Sequence, residues 1–235
     1  DHVLGLFRLF WVPRAGTPAG GVYMNYDFEA MVGTLVLEAQ RAGAVVVGED
    51  LGTFEPWVQD FLRDKGILGT SVLWFESIPP GVPRPSQQYR HLALTAVGTH
   101  DLPPTAGYLK GAHNELRHEL GLVDDPVEHL NATDRIWIDQ VLGLAREEGA
   151  LTGDDEKALI TGLTRFVAST PSAMTCTNLV DMVGDERIQN QPGTNGEQYT
   201  NWRMPLCDAT GTPVLIEQLP EVELFQAVAE ASIRN

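Results

Sequence analysis

The stretch VVVGEDLGT, Val45–Thr53, places two acidic residues directly behind an apolar, β-branched run. A short run of this kind, bounded by glycine, is typical of a buried strand, and we expect one at 44–48. Apolar residues at helical spacing predict a helix over about 27–42 before it and a second helix around 57–62 after it. Strands that alternate with helices of this length indicate a parallel sheet wrapped by helices. The two acids then stand at the carboxyl end of a strand.

This alternation continues along the chain. Further apolar runs predict strands at 71–75, 92–99 and 174–180. Between 104 and 150 the pattern is helical and polar, and its apolar residues are expected to face inward: Ile136, Val141, Leu142 and Ala145. Residues that can accept a hydrogen bond from a free backbone N–H predict where helices begin. We expect such caps at Thr53, at Thr133 and at the pair Thr152 and Asp155, the last for a helix that runs to about Val167.

Composition limits the classes of partner. The 235 residues are 43% apolar, enough for one large core. The formal charge of −16 repels phosphate backbones and anionic lipid surfaces, so we expect neither a nucleic-acid nor a membrane partner. The two cysteines, Cys176 and Cys207, lack the spacing of a metal site, which favours a reducing compartment and hence the cytoplasm. Neither a membrane-spanning run nor a signal peptide is apparent.

Acidic residues follow predicted strands at more than one place. The chain shows three polar pairs of similar character, Asp1-His2, Glu49-Asp50 and His100-Asp101. In a parallel barrel the carboxyl ends of the strands form the active-site face. Carboxylates that meet there suit glycoside chemistry, in which one acid protonates the leaving oxygen and one carboxylate attacks the sugar. A carboxylate cluster that holds Mg²⁺ or Mn²⁺, or simple helix caps and solvated loop residues, would give the same spacing, and the pattern does not separate these alternatives.

Six sequence blocks resemble those of a known enzyme family. They are DHVLGLFRLFWVP at 1–13, GGVYMNYD at 20–27, VVGEDLGT at 46–53, VLWFE at 72–76, VGTHDLP at 97–103, and NQPGT with NWR between 190 and 203. In this order the chain resembles, over essentially its whole length, the amylomaltases, bacterial 4-α-glucanotransferases also called disproportionating enzymes. The resemblance implies an α/β fold, the C-terminal part of a (β/α)8 TIM-type barrel with an inserted helical subdomain.

That resemblance also implies a division of the chain. Residues 1–103 would form a barrel segment with three catalytic carboxylates, residues 104–150 the helical insertion, and residues 151–235 the last barrel segment with the NQPGT and NWR motifs and a C-terminal helix. The chain would then be the C-terminal section of a longer enzyme, and the missing N-terminal part would be its partner. With that part absent, we expect residues 1–235 alone to show little or no activity.

The family's catalytic residues fall on Asp1, Glu49 and Asp101. By resemblance, Asp1 is the nucleophile, Glu49 the acid/base, and Asp101 the residue that stabilises the transition state. The implied reaction moves α-1,4-glucan segments between maltodextrins by a double displacement with retention. Such an enzyme needs about 5–5.5 Å between the carboxyl groups of nucleophile and acid/base. Neither a metal nor an organic cofactor is expected.

Aromatic rings and hydrogen-bonding groups are expected to bind the glucan, because rings offer apolar faces to a sugar's C–H surface. For each ring taken singly, packing in the core is the alternative role. Asp50 is expected either to bind substrate or to orient Glu49 through bonds to backbone or arginine groups. The candidate substrate-binding residues are His2, Trp11, Tyr23, Tyr26, Asp50, His100, Asn190, Pro192, Gly193, Thr194 and Trp202.

Several positions depart from the family pattern. Pro104 stands where the family has Thr, Leu109 lies where an aromatic is expected, and Asp27 replaces the usual Pro. The arginine expected two residues before the nucleophile is absent. These changes bear on acceptor contacts and leave the three carboxylates in place. Two alternative functions remain. A noncatalytic glucan-binding or assembly module would be distinguished by loss of turnover in a Glu49→Gln variant, and a carboxylate-metal enzyme on the same fold by activity that a chelator removes.

Overall fold

A computed structural model describes residues 1–79 and 81–234. The chain divides into two compact units. The first unit comprises Asp1–Ser71 and Arg90–Leu94, and the second comprises Val72–Tyr89 and Thr95–Asn235. Both helices and strands are present, so the mixed α/β class is confirmed. The three-segment division at 103 and 150 stays a prediction.

The first unit begins with an antiparallel hairpin. Its strands are β1 (Arg8–Trp11) and β2 (Val22–Asn25), in a register that pairs Arg8 with Asn25 and Trp11 with Val22. Short 3-10 helices lie before and within the hairpin, at Val3–Leu6 and Pro18–Gly20. Two helices follow, and their apolar faces close over one core: Val3, Leu4, Phe7, Val32, Val58, Leu62 and Ile67.

Helix α1 (Phe28–Ala42) matches the helix predicted from apolar spacing. Its first turn is capped by the Asp27 carboxylate, which accepts a hydrogen bond from the Ala30 N–H at 3.1 Å. It ends at Gly43, whose φ of 62° suits glycine. Helix α2 (Pro56–Asp64) begins after Glu55, so the predicted cap at Thr53 is wrong. Proline lacks an N–H and has a helical φ, which makes Pro56 a natural first helical residue without a side-chain cap.

The strand predicted at 44–48 is wrong. Only Val47 forms a bridge, parallel to Leu68, and Val45 is 66% exposed. The Gly48 N–H donates to the Leu68 carbonyl at 2.8 Å and the Leu68 N–H to the Val46 carbonyl at 3.0 Å. The pairing does not continue past Gly48, because the Glu49 carbonyl accepts from the Val3 N–H and the Thr70 N–H donates to the Asp50 side chain instead of to a backbone carbonyl.

A three-stranded sheet has the order β3 (Gly69–Val72), β6 (Ala93–Ala96) and β7 (Met174–Cys176). Each strand is shorter than the apolar run that predicted it. After β3 the chain forms a 3-10 helix at Leu73–Phe75, and after β7 it turns into α7 (Leu179–Val183). The Asn178 side chain, directly before α7, donates to the Gly98 carbonyl at 3.3 Å. The predicted strand at 174–180 is therefore correct only in its first half.

The second unit also contains a small hairpin and most of the helices. Strands β4 (Ser77–Ile78) and β5 (Val82–Pro83) pair antiparallel, followed by a 3-10 helix at Ser86–Gln88. The helices are α3 (Thr105–Lys110), α4 (Ala112–Glu119), α5 (Val127–Glu147), α6 (Glu156–Ala168), α7 and α8 (Glu223–Ala231), and a 3-10 helix spans Ile216–Glu221. The larger core of this unit includes Leu73, Trp74, Leu142, Leu163 and Phe166.

Residues of α5 test the predicted inward face. Val141, Leu142 and Ala145 are buried as predicted, but Ile136 is 64% exposed. The buried stripe begins at Ile138. Ile136 lies two positions earlier, which on a helix of 3.6 residues per turn directs its side chain to the opposite face, away from the core. Thr133 lies inside α5, where its hydroxyl donates to the His129 carbonyl at 3.0 Å, so the predicted cap there is wrong.

The predicted start of α6 is partly right. Asp155 is the capping residue, and its carboxylate accepts from the Ala158 N–H at 2.8 Å. Thr152 precedes the cap and does not form the predicted capping box with it. Within residues 1–79 and 81–234, no helix combines the length and apolarity needed to cross a bilayer.

Candidate active site

In the first unit, Glu49 meets the start of the chain. Its carboxylate accepts hydrogen bonds from the His2 N–H at 2.9 Å and from the Leu51 N–H at 2.5 Å. The Val3 N–H donates to the Glu49 carbonyl at 2.8 Å, and the His2 ring nitrogen Nδ1 lies 3.8 Å from the carboxylate. The structure therefore places His2 and Val3 against Glu49, and the catalytic roles of Asp1 and Glu49 stay a prediction.

The backbone at this contact is unusual. His2 has a φ of 50°, in the left-handed region that residues other than glycine seldom adopt. Gly48 allows the close approach, because a Cβ there would lie 2.8 Å from the Val3 Cγ2. Strained residues persist where surrounding structure holds them, and they cluster at functional sites. The left-handed His2 lies at its own contact with Glu49.

Asp50 has a different environment from its neighbour Glu49. Its side chain is 2% exposed and accepts hydrogen bonds from Gln59 at 2.8 Å and from the Thr70 N–H at 2.8 Å. Arg90 binds both carboxylate oxygens, at 2.6 and 3.2 Å. Sequence reasoning expected an arginine partner but did not identify Arg90, which lies 40 residues away with no local pattern to mark it.

The aromatic candidates of the first unit lie on the hairpin and beside it. Trp11 and Tyr23 are more than half exposed, and the Trp11 Nε1 donates to the Tyr26 hydroxyl at 2.9 Å. The Tyr23 ring packs 5.0 Å from the Phe10 ring, and the Arg8 guanidinium lies 4.7 Å from its centroid. The hairpin thus presents aromatic rings at its surface instead of packing Trp11 and Tyr23 in the core.

The second unit brings together four predicted site residues. Asp101 is 48% exposed, and the Asn190 side chain donates to its Oδ1. His100 Nε2 lies 3.5 Å from the other carboxylate oxygen, and the His100 ring is 5.1 Å from the Trp202 ring. Trp202 is largely exposed and has a φ of 61°, a second left-handed residue at a candidate site.

The loop at 190–194 is held by a residue that sequence reasoning missed. Asn201 accepts from the Gln191 N–H at 2.7 Å and donates to the Thr194 hydroxyl at 2.8 Å. Gly193 has a φ of 85°, and Pro192 is exposed. Asn201 lies inside the NWR motif, which was the available signal. Its bonds fix the loop from which Asn190 reaches Asp101.

Asp181 supports the region that follows Asp101. Its buried carboxylate accepts a hydrogen bond from the Thr105 N–H at 2.6 Å, at the start of α3. Burial, opposed by the bonds from Thr105, raises the pKa of Asp181 to about 6. No group of three or more His, Cys, Asp or Glu residues arranged to hold a metal ion occurs in the part of the chain that the structure describes.

Comparison with known proteins identifies the family of this chain. The family model described as 4-alpha-glucanotransferase, glycoside hydrolase family 77, matches residues 1–209. The chain belongs to glycoside hydrolase family 77. This family 77 chain is 46% identical over 239 residues to a 4-alpha-glucanotransferase of Mycobacterium tuberculosis, an alignment that covers 98% of this chain and 33% of that protein. The chain spans about a third of the length of its mycobacterial relatives.

Solved structures give the same result for the fold. The crystal structure of amylomaltase from Corynebacterium glutamicum superposes with a TM-score of 0.95 at 53% identity, covering 100% of the family 77 chain and 35% of the other. An amylomaltase from Streptococcus agalactiae, in complex with acarbose, matches with a TM-score of 0.66 at 16% identity, covering 100% of this chain and 41% of that one. The family 77 chain therefore has the fold of the matched part of amylomaltase.

Proposed function

We propose that the chain contributes the catalytic carboxylates of a 4-α-glucanotransferase that transfers α-1,4-glucan segments between maltodextrins in the cytoplasm, with no metal or organic cofactor. The observation that supports this most directly is the bond from the His2 N–H to the Glu49 carboxylate, which joins the blocks of the proposed nucleophile and acid/base. Membership of family 77 supports the reaction class. The chain would form the C-terminal part of a (β/α)8 barrel with an inserted helical subdomain at 104–150.

The proposed reaction has two displacements. In the first, an Asp1 carboxylate oxygen attacks the anomeric carbon, the glycosidic C–O bond breaks, and the Glu49 proton passes to the departing 4-oxygen. In the second, Glu49 takes the proton from an incoming 4-hydroxyl, whose oxygen bonds to the anomeric carbon and releases Asp1. Two inversions restore the α configuration. Asp101 stabilises the positive charge that develops on the sugar ring in each step.

The proposed substrate contacts follow from exposure and bonding. Trp11, Tyr23, Tyr26 and Trp202 would offer ring faces to the glucan, which also excludes water in favour of a sugar acceptor. His100 would donate to hydroxyls of the transferred sugar. The loop residues Asn190, Pro192, Gly193 and Thr194 would present polar groups beside it, and His2 would do so on the Glu49 side. Asp50, enclosed by protein donors, would act by holding Glu49.

Transfer from maltotriose tests the proposal. The chain, expressed with any natural sequence that precedes Asp1 or follows Asn235, is expected to release glucose from maltotriose while longer maltodextrins form, all with α linkages. Glu49→Gln is expected to abolish turnover and retain binding of acarbose, the ligand of the streptococcal amylomaltase, measured by calorimetry. Transfer by Glu49→Gln at the wild-type rate would refute the assignment of the acid/base. Glucan binding without turnover in the wild-type chain would instead support a noncatalytic binding module.

Residues 1–235 by themselves are proposed to have little or no transferase activity. The mycobacterial relative is about three times as long, because the alignment covers 98% of this chain and 33% of that protein. The same maltotriose assay on residues 1–235 measures this directly. Turnover by residues 1–235 close to that of a full-length relative would contradict the proposal.

A further inference from the structure

Arg90 joins two segments of the first unit. Its guanidinium binds both oxygens of Asp50, at 2.6 and 3.2 Å, and also donates to the Thr70 carbonyl. The Arg90 Nε lies 3.4 Å from the Ser71 hydroxyl. A planar guanidinium is suited to this two-point contact with a carboxylate, whereas an ammonium group is not. One cation therefore links the Glu49-Asp50 segment to strand β3.

The surroundings leave this pair little freedom. The Asp50 carboxylate is also held by Gln59 and by the Thr70 N–H, so both of its oxygens are committed to protein donors. The pair occupies the space over Gly69, where a Cβ would lie 2.5 Å from the Arg90 Nη1 and 2.8 Å from the Asp50 Oδ2. A reorientation of Asp50 would break several of these bonds together.

Glu49 directly precedes Asp50 in the chain, and its carboxylate accepts a hydrogen bond from the His2 N–H. The Asp50 and Glu49 carboxylates are thus held by different partners, Asp50 by Arg90, Gln59 and Thr70, and Glu49 by the His2 and Leu51 N–H groups. Because the two residues are adjacent, a shift of Asp50 would displace the backbone that carries Glu49. From this geometry we infer that Arg90 is a positioning residue for Glu49, acting through Asp50. The inference rests on the proposed function, since it assigns Glu49 the proton transfer.

A proton can be transferred only over hydrogen-bond distance, so a small displacement of Glu49 is costly. In Arg90→Gln, the kcat for maltodextrin transfer is expected to fall on the order of 10²-fold, the size of effect that a displacement of about 1 Å can have. The KM is expected to change little, because the guanidinium of Arg90 donates to Asp50 and to the Thr70 carbonyl.

Positioning of Glu49 can be separated from a general structural role of Arg90 with a glycosyl donor and an acceptor nucleophile that react without proton transfer. With α-maltosyl fluoride as donor, the C–F bond breaks, fluoride leaves as an anion, and Asp1 forms the ester bond without acid assistance. With azide as acceptor, azide attacks the anomeric carbon and releases the Asp1 carboxylate without a base. If Arg90 acts through Glu49, Arg90→Gln turns over this pair within about threefold of wild type. Equal loss with both substrate pairs would overturn the inference.

Two further variants complete the test of Arg90. Arg63→Gln is the matched control. Arg63 and Arg90 line one cavity of about 280 Å³, but Arg63 pairs with Asp60 at 2.7 Å instead of with Asp50. The Arg63→Gln variant is expected to behave as wild type. Arg90→Lys keeps the charge without the two-point contact and is expected to recover part of the maltodextrin kcat. If Arg90→Gln does not fold, as judged by circular dichroism, Arg90→Lys is measured with both pairs, and a loss confined to maltodextrin supports the inference while equal losses refute it.

The Glu49→Gln variant, measured in the same assays, separates the proposed function from the proposed role of Arg90. Loss of maltodextrin transfer by Glu49→Gln, with turnover of the fluoride and azide pair retained, supports the proposed function. If Arg90→Gln then matches wild type on maltodextrin, the role of Arg90 is refuted and the proposed function stands. If Glu49→Gln transfers maltodextrin normally, the proposed function itself fails.

Discussion

Asp50 and Asp101 each follow the end of an apolar run, one in each unit, yet their environments differ sharply. The Asp50 side chain is 2% exposed and is held by Arg90, Gln59 and the Thr70 N–H. The Asp101 side chain is 48% exposed and contacts Asn190 and His100. A buried charge must be compensated by protein partners, whereas a half-exposed one keeps access to water or a ligand. The comparison predicts that Asp50 acts through the protein groups that hold it, and so affects stability together with the position of Glu49, whereas Asp101 affects catalysis with little effect on stability.

The largest expected effect concerns Asp101. Asp101→Asn is expected to lower kcat by about 10²–10³-fold, because it removes the negative charge that we propose to stabilise the transition state. Its effect on the free energy of unfolding is expected to stay within about 0.5 kcal/mol, since the side chain is half exposed. Initial rates on maltotriose and urea unfolding measure the two quantities.

Asp154→Asn is the matched control for Asp101, because Asp154 is an exposed carboxylate of the same unit that pairs with Arg146. It is expected to leave both quantities unchanged. A large loss of stability with little loss of kcat in Asp101→Asn would reverse the comparison between Asp101 and Asp50.

Asp181 extends the comparison to a second buried acid, whose pKa is set by burial and by hydrogen bonds from Thr105 and not by a nearby cation. Its pKa is raised from 3.8 to about 6, mainly by burial, so the folded state binds the proton more tightly than the unfolded state. The stability this contributes is full below about pH 4 and is lost as pH rises through about 6, a change of about 3 kcal/mol. Asp181→Asn can still accept from the Thr105 N–H and has no proton to lose.

Urea unfolding of wild type and Asp181→Asn at several pH values between 4 and 7.5 measures this dependence. The difference in unfolding free energy between the two proteins is expected to move in favour of the variant as pH rises. A difference that is constant across this range would show that burial does not perturb Asp181 as described.

The stability role of Asp50 is the next prediction. Asp50→Asn removes the charge from a buried pair and leaves the Arg90 guanidinium without its counterion, which is expected to cost about 2 kcal/mol of unfolding free energy. This value is below that of a fully buried pair because Arg90 is about a third exposed. Chemical denaturation of Asp50→Asn beside Asp60→Asn, an exposed acid paired with Arg63, gives the comparison. Equal stability of the two variants would contradict it.

The smallest effect is expected at Asn190. Asn190→Ala removes the donor to the Asp101 carboxylate and is expected to lower kcat about 10-fold, the value of one hydrogen bond to a charged group. Asn195→Ala is the control, because Asn195 is in the same loop but accepts from the Glu197 and Gln198 N–H groups. A loss of the same size in both variants would indicate that loop order, and not the bond to Asp101, determines the rate.

Much of the local structure could be predicted from the residues alone. The helix at 28–42, its glycine end, and the start of α6 at Asp155 follow from patterns within a few residues, where caps and periodic burial act over single turns. Strand ends could not be predicted as well. The run at 44–48 has the residues of a strand, but strand formation depends on a partner segment that its own sequence does not contain.

By itself, the sequence determined the family and the identity of the three acidic candidates, because blocks of adjacent residues are read directly from the chain. Only the tertiary structure decided which partners those acids have. Arg90 reaches Asp50 across 40 residues and Asn190 reaches Asp101 across 89. The physical reason is that hydrogen bonds and burial depend on distance in space, and for residues so far apart in the chain that distance is set by the whole fold.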